Sequence, residues 1–84
     1  MNWTVVSVEA KPPLSLAVRF MDGTEGTVRF EPSHLHGVFA ALRDLEFFRQ
    51  AHIEEGAVAW PGDLDLAPDA MYREIKRNGE WVLS

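Results

Sequence analysis

The residues best suited to chemistry are three aspartates, Asp63, Asp65 and Asp69, which follow Trp60-Pro61. Carboxylate oxygens are the ligands that Ca²⁺ and Mg²⁺ prefer, so these residues are the candidate metal ligands of the chain. Their spacing does not complete an EF-hand loop, because Glu74 at the closing position falls inside a predicted helix. We therefore interpret the aspartates as turn-forming and helix-capping residues and keep a cation site as the alternative.

The remaining polar groups form no recognisable catalytic set. His34, His36 and His52 have side chains that zinc accepts, but the prolines and glycine around the first two predict an exposed loop. Glu54-Glu55 and the aspartates are candidates for an acid–base pair only if the fold brings them together, which no spacing indicates. No serine has the partners of a triad. We therefore expect no catalytic residues, no cofactor and no enzymatic activity.

The composition indicates one small acidic domain, residues 1–84. Hydrophobic residues make up 46% and charged residues 25% of the 84 positions, which is typical of a folded protein. A net charge of −5 disfavours direct nucleic-acid binding and favours a basic protein partner. We interpret the densest basic stretch, which contains Arg73, Lys76 and Arg77, as the solvated face of a helix.

Other features of the composition predict a cytoplasmic location. The chain has no cysteine, which fits a reducing compartment and excludes disulfides and thiol catalysis. Glu9 and Lys11 interrupt any signal-like pattern near the N-terminus. No apolar run is long enough to cross a membrane.

The first third of the chain predicts an antiparallel three-stranded meander over residues 3–10, 14–21 and 25–30. A two-residue turn at Asp22-Gly23 would place Phe20 opposite Glu25, with a carboxylate beside a buried ring. We therefore expect a longer loop or a bulge near Gly26, which aligns Phe20 with Gly26 and Val18 with Val28.

The remainder predicts short helices and one further strand. Val38, Phe39 and Leu42 have helical spacing, and Asp44 is a candidate N-cap for a helix over 45–51. We expect a strand over 57–60 and a helix over 68–77, with an inner stripe formed by Met71 and Ile75 and an end at Asn78-Gly79. The predicted fold is α+β, with the meander and the further strand packed against two or three short helices.

The last residues, 80–84, are unusually apolar for a terminus. The sequence leaves three alternatives open for these residues. They pack on their own domain, they add a strand or an anchor to a second chain, or they stay disordered. Tryptophan is favoured at interface hot spots. We expect Trp60 to be buried, and we take Trp3, Trp81, Val82 and Leu83 as the candidate interaction surface.

Several short motifs occur in a characteristic order along the chain. They are Phe20-Met21-Asp22-Gly23-Thr24-Glu25-Gly26, Gly37-Val38-Phe39, Leu42-Arg43-Asp44, Phe47-Phe48, Val58-Ala59-Trp60-Pro61, Asp65-Leu66, Pro68-Asp69 and Tyr72. In this order they resemble a known bacterial family, that of domain of unknown function 2442. The resemblance covers about residues 3–75, departs from the usual pattern at Ala41 and Ala67, and excludes the tail from Asn78.

The resemblance implies a small α+β domain without established catalytic residues. Some members are followed by a helix-turn-helix domain, and members are often encoded beside another small protein, as a toxin is beside its antitoxin. We therefore expect a non-catalytic protein-interaction domain, the regulatory or antitoxin-like half of a two-gene pair. Its partner would be another protein, small and basic, or a second copy of the chain. The alternatives are a small-ligand or cation-binding domain that uses the 60–69 loop, and a transcription-linked regulator that acts through a partner.

Overall fold

A computed structural model of the chain describes residues 3–83, with the side chain of Val38 excepted, so the predicted docking of Val38 lies outside the described part. The strands are β1 (Val5–Lys11), β2 (Ser15–Phe20), β3 (Glu25–Phe30), β4 (His52–Glu54), β5 (Ala57–Trp60), β6 (Leu64–Asp65) and β7 (Glu80–Leu83). The helices are α1 (Leu45–Phe48) and α2 (Pro68–Asn78), and two 3₁₀ segments, Pro32–His34 and Gly37–Arg43, precede α1.

The fold is α+β, as the sequence predicts. One sheet has four strands in the order β1-β2-β3-β7, and the other has three strands in the order β4-β5-β6. A single hydrophobic cluster runs from the four-stranded sheet through Phe48 and Trp60 to Met71 and Ile75 of α2. Among residues 3–83, no helix has both the length and the apolar character that a membrane crossing needs.

Strands β1, β2 and β3 form the predicted antiparallel meander, but the predicted register of β2 against β3 is wrong. Val18 pairs with Gly26 instead of Val28. The Phe20 N–H donates to the Thr24 carbonyl at 2.8 Å, which closes a turn longer than two residues. The parity argument against a two-residue turn is therefore confirmed. Parity could not decide which of the longer turns forms, because shifting β3 along β2 by two residues leaves every side chain on the same face of the sheet.

The second sheet contains the predicted strand over 57–60, flanked by two strands that the sequence analysis missed. Strands β4 and β6 have three and two residues, too few for an alternating pattern to be recognised. Both pair antiparallel with β5.

The first helical region is shorter than predicted. The Asp44 carboxylate accepts a hydrogen bond from the Glu46 N–H at 3.0 Å, so Asp44 caps α1 as expected. The helix ends at Phe48 instead of residue 51, because the chain then turns directly into β4. Phe48 is buried and Phe47 is half-buried, as expected for adjacent helical positions that cannot both face inward.

Helix α2 follows its prediction closely. Met71 and Ile75 are buried and form its inner stripe. Gly79 adopts the left-handed conformation, with φ +82°, and its N–H donates to the Ile75 carbonyl at 2.7 Å. This is the helix ending that glycine favours, since it has no Cβ to clash in that conformation.

The C-terminal tail packs on its own domain, the first of the three alternatives. Residues 80–83 form β7, which pairs in parallel with β3, so that Trp81 lies opposite Val28 and Leu83 opposite Phe30. Helix α2 is the crossover that a parallel pair needs. Ser84 lies outside the described residues.

The turn between β4 and β5 holds a glutamate in an unfavourable conformation. Glu55 has φ +53° and Gly56 has φ +78°, the two positive values of a type I′ hairpin turn. Asparagine tolerates the first of these positions better than glutamate. We expect Glu55→Asn to raise the free energy of unfolding by about 0.5–1 kcal/mol in urea denaturation. Glu54→Asn, at the adjacent strand position, is the control, and an equal gain from it would contradict the conformational explanation.

Candidate functional site

An open groove of about 640 Å³ lies between Trp3 and the solvent-facing side of α2. Its lining residues are Trp3, Asp69, Tyr72, Arg73, Lys76 and Arg77, and we call it the Trp3 groove. It combines an indole and a phenol ring with three cationic side chains. Tryptophan, tyrosine and arginine are the residue types most enriched at interface hot spots.

Both walls of the groove are held by the fold. On α2, burial of Met71 and Ile75 directs the intervening residues toward solvent. On the other wall, the Thr4 carbonyl accepts a hydrogen bond from the Met21 N–H at 2.8 Å. The Val5 N–H donates to the Gly56 carbonyl at 2.9 Å. Trp3 is thereby anchored next to the β2–β3 turn, and its side chain is 38% exposed.

Tyr72 connects the groove to the sheet. Its hydroxyl donates to the Asp22 carboxylate at 2.6 Å, and its ring packs edge-on against Phe20, with ring centroids 5.0 Å apart. The Lys76 ammonium lies 5.8 Å from the centre of the same ring, within range of a cation–π interaction. Tyr72 is therefore held in one orientation, with its hydroxyl already engaged.

The hydrogen bond between Tyr72 and Asp22 shifts the pKa of both groups. The phenol hydroxyl and then the Thr24 N–H stabilise the carboxylate, and they lower the pKa of Asp22 from 3.8 to about 2. The same hydrogen bond to a carboxylate raises the pKa of Tyr72. At neutral pH the pair is a neutral phenol and a carboxylate.

This pair predicts a pH-dependent contribution to stability. Because the pKa of Asp22 is depressed in the folded state, its contribution is present above about pH 4 and is lost as the pH falls toward 2. We expect Tyr72→Phe to melt at a lower temperature than the wild type at neutral pH, with the difference shrinking toward pH 2. Thermal melts from pH 7 to pH 2 measure this, and a difference that stays constant over that range would contradict the assignment.

The cations of the groove are only partly neutralised. Arg77 lies 3.9 Å from the Glu74 carboxylate, at the outer limit of an ion pair. Arg73 forms no ion pair with any residue from 3 to 83, and Lys76 contacts the Tyr72 ring. The guanidinium of Arg73 therefore remains available to an external carboxylate.

The negative charge is concentrated in one stretch of the chain, whose last residue, Asp69, also lines the groove. Residues 44–69 hold seven of the thirteen acidic residues and one of the eight basic residues, so this stretch carries −6 and the rest of the chain +1. It comprises α1, the second sheet and the loop that leads to α2. The molecule therefore combines an acidic segment with a locally cationic groove, which the net charge alone does not reveal.

The three aspartates that are the alternative candidates for a cation site lie on separate elements. Asp63 lies in the turn before β6, Asp65 lies in β6, and Asp69 lines the Trp3 groove in the first turn of α2. Within residues 3–83, no three histidine or acidic side chains form a group suited to a metal ion. The His34 ring packs near Phe39, and His52 interacts with the Gln50 carbonyl and Glu54.

The candidate interaction residues fall in two different parts of the fold. Trp3 lies in the groove, whereas Trp81, Val82 and Leu83 belong to β7. Trp81 and Leu83 are half-buried, and Val82 is 38% exposed. Trp60 is buried, as predicted.

Sequence reasoning did not assign Tyr72 and the basic residues of α2 to a site. The available signal was the helical spacing of Arg73, Lys76 and Arg77, which places cations on neighbouring turns. That spacing is equally typical of a solvated helix face. Only the proximity of Trp3 distinguishes the groove from such a face.

Comparison with known proteins identifies a family for most of the chain. The family model described as "Protein of unknown function (DUF2442)" matches residues 5–77. No curated protein and no solved structure matches the chain.

Proposed function

The chain belongs to the family of proteins of unknown function DUF2442, and from this premise we propose that it is a non-catalytic protein-interaction domain. The observation that carries the proposal is the Trp3 groove, where an exposed indole lies beside a fixed tyrosine ring and the unpaired Arg73. An aromatic anchor with arginine at its side is the usual composition of an interface hot spot.

The charge distribution defines the partner further. A net charge of −5, concentrated in residues 44–69, attracts a small basic protein over long range. Within the groove, Arg73 and Lys76 favour a carboxylate of that partner. The proposed partner is therefore basic as a whole and brings at least one acidic residue and one apolar side chain to Trp3.

The resemblance to the family supports a more specific role. Members are often encoded beside another small protein, in the manner of a toxin and its antitoxin. We assign this chain the regulatory or antitoxin-like half of such a pair, with the groove as the surface that holds the other half.

The experiment is affinity capture from source-cell extract with the tagged full chain, followed by light scattering and absorbance at two wavelengths. We expect one small basic protein in stoichiometric amount and no nucleic acid. Trp3→Ala is expected to weaken binding of that partner at least ~30-fold, the effect of losing one hot-spot residue. Isothermal titration with the purified partner measures this loss.

Two matched variants test whether the groove is responsible. Arg73→Glu should abolish measurable binding, whereas Arg49→Glu makes the same charge change at the exposed residue that directly follows α1, where Arg49 pairs with Glu46 at 2.9 Å. Leu45→Ala removes another exposed apolar side chain and controls for Trp3→Ala. Equal losses from groove and control variants would refute the groove as the docking surface. Capture of no partner by the folded chain would refute the interaction role.

A further inference from the structure

The free edge of the four-stranded sheet is formed by β7. The opposite edge, β1, is interrupted by a register shift between Val5 and Ser7 and packs against β4 and β5. Such irregularities and coverings are the usual protection of an edge strand. From Glu80 to Leu83, β7 has no proline, no lysine and no register shift. Glu80 is its one charged side chain, so β7 is the less protected of the two edges.

The backbone groups that face outward on this edge can be identified. The Glu31 N–H donates to the Leu83 carbonyl at 2.9 Å, and the Thr27 N–H donates to the Gly79 carbonyl at 3.3 Å. Alternate residues of a strand direct their backbone groups to opposite sides. The N–H and C=O of Val82 therefore point away from β3, toward a side on which residues 3–83 supply no further strand.

The side chains of β7 are complementary to a second copy of the same strand. In an antiparallel pair centred on Val82, each Val82 meets its counterpart, and each Trp81 meets the Leu83 of the other copy. Residues that oppose each other directly lie on the same face of the sheet, so Trp81 and Leu83 would meet on the inner face, where both are half-buried. Shifting the pair to centre on Trp81 would place Glu80 beside Val82. The register centred on Val82 is therefore the one that matches apolar residues with apolar residues.

From this complementarity we propose that two copies of the chain dimerise edge to edge through β7, in antiparallel register about Val82, and join their four-stranded sheets into one continuous sheet. The two Val82 residues exchange a pair of backbone hydrogen bonds, and their side chains, each 38% exposed in the single chain, cover one another. The axis is a two-fold, so the contact closes on itself and does not propagate into a filament. The dimer is proposed separately from the proposed function, because none of the residues that line the Trp3 groove belongs to β7.

The contact is short, so the dimer is expected to be weak and concentration-dependent. Sedimentation equilibrium of the full chain, up to roughly 1 mM, should show a shift from the 9.5 kDa monomer toward twice that mass. A monomer over the whole concentration range would overturn the proposal.

Val82→Pro is the decisive variant. Proline lacks the N–H that bonds the second copy, and Val82 donates no hydrogen bond to β3, so the strand itself tolerates the change. We expect this variant to keep its near-UV circular dichroism and to remain monomeric. Val82→Lys is the second variant, because it sets two like charges directly opposite each other at the axis while keeping the N–H. Dimerisation that survives in either folded variant would overturn the register.

Controls at other positions separate this contact from unspecific association. Val6→Lys changes the exposed valine of the β1 edge in the same way and should leave the dimer intact. Trp3→Ala should also leave it intact, so failure of the groove proposal and failure of the dimer proposal give different results. Because the chain has no cysteine, Val82→Cys should form a disulfide-linked dimer on mild oxidation far faster than Val6→Cys. Equal rates for the two cysteine variants would contradict pairing at β7.

Discussion

Replacing Trp60 with alanine is expected to lower the free energy of unfolding by about 3–5 kcal/mol, the range for deleting a fully buried large aromatic side chain. Trp60 is 1% exposed and lies with its ring centroid 6.2 Å from Phe30 and 6.1 Å from Phe48. These three rings come from β5, β3 and α1, so the cluster joins the two sheets. A loss of this size is a large fraction of the total stability of a small domain.

Trp60→Phe separates packing from hydrogen bonding at the same position. The indole N–H of Trp60 donates to the Phe48 carbonyl at 2.9 Å in the interior. Phenylalanine keeps most of the ring contact but removes this hydrogen bond, so the Phe48 carbonyl keeps only the longer bond from the Ala51 N–H at 3.3 Å, and the loss costs about 0.5–1.5 kcal/mol. Urea denaturation of the wild type and both variants measures the series. A Trp60→Ala variant as stable as the exposed-site variant Trp3→Ala would refute the central role of the cluster.

Replacing Gly26 with alanine is expected to cost about 1–3 kcal/mol, through overpacking between β3 and α2. A Cβ at this position would collide with the Ile75 side chain and lie 2.7 Å from the Gly79 carbonyl oxygen, far inside normal contact distance. The Gly79 carbonyl is backbone and also accepts from the Thr27 N–H, so it cannot move away freely. Glycine is required here because the helix end approaches the strand so closely.

A double-mutant cycle tests this explanation. Ile75→Ala alone should destabilise by about 2–5 kcal/mol through the cavity it leaves. In combination with Gly26→Ala, the total cost should be smaller than the sum, because the new methyl group occupies space that the isoleucine vacated. Strictly additive costs would contradict direct contact. Thr27→Ala, at the next strand position, is the control and should change stability far less.

The position of α2 matters for both proposed surfaces. Helix α2 carries Tyr72 and the cations of the Trp3 groove, and it leads directly into β7. A displaced helix end in Gly26→Ala is therefore expected to weaken partner binding and dimerisation together. Trp3→Ala and Val82→Pro, by contrast, should each affect one of these interactions.

Local sequence patterns were enough to predict those elements whose deciding interactions join residues close together in the sequence. Alternation identified the three strands of the meander, and the pairing of Asp44 with the Glu46 N–H was evident as an N-cap. Pro68 and Gly79 mark the two ends of α2 because proline fits the first helical turn and glycine the left-handed ending. Parity excluded a two-residue turn after Phe20, since one misplaced residue reverses every side chain of the strand.

Tertiary structure decided what depends on contacts between distant segments. The register of β2 against β3 differs from the prediction by two residues, a shift that side-chain alternation cannot detect. Strands β4 and β6 exist because β5 supplies their partner groups, since segments of three and two residues have no pattern of their own. The sequence left open whether the apolar tail packs on its own domain, because its partner, β3, lies some fifty residues earlier in the chain, beyond the range of any local signal.

For the candidate site, too, the sequence predicted some features and only the tertiary structure decided the others. The sequence by itself determined that Arg73, Lys76 and Arg77 lie on an exposed helix face and that the chain is acidic as a whole. Only the folded chain brings Trp3 against that face. The physical reason is that helical periodicity depends on residues a few positions apart, whereas the groove depends on packing between the two ends of the chain.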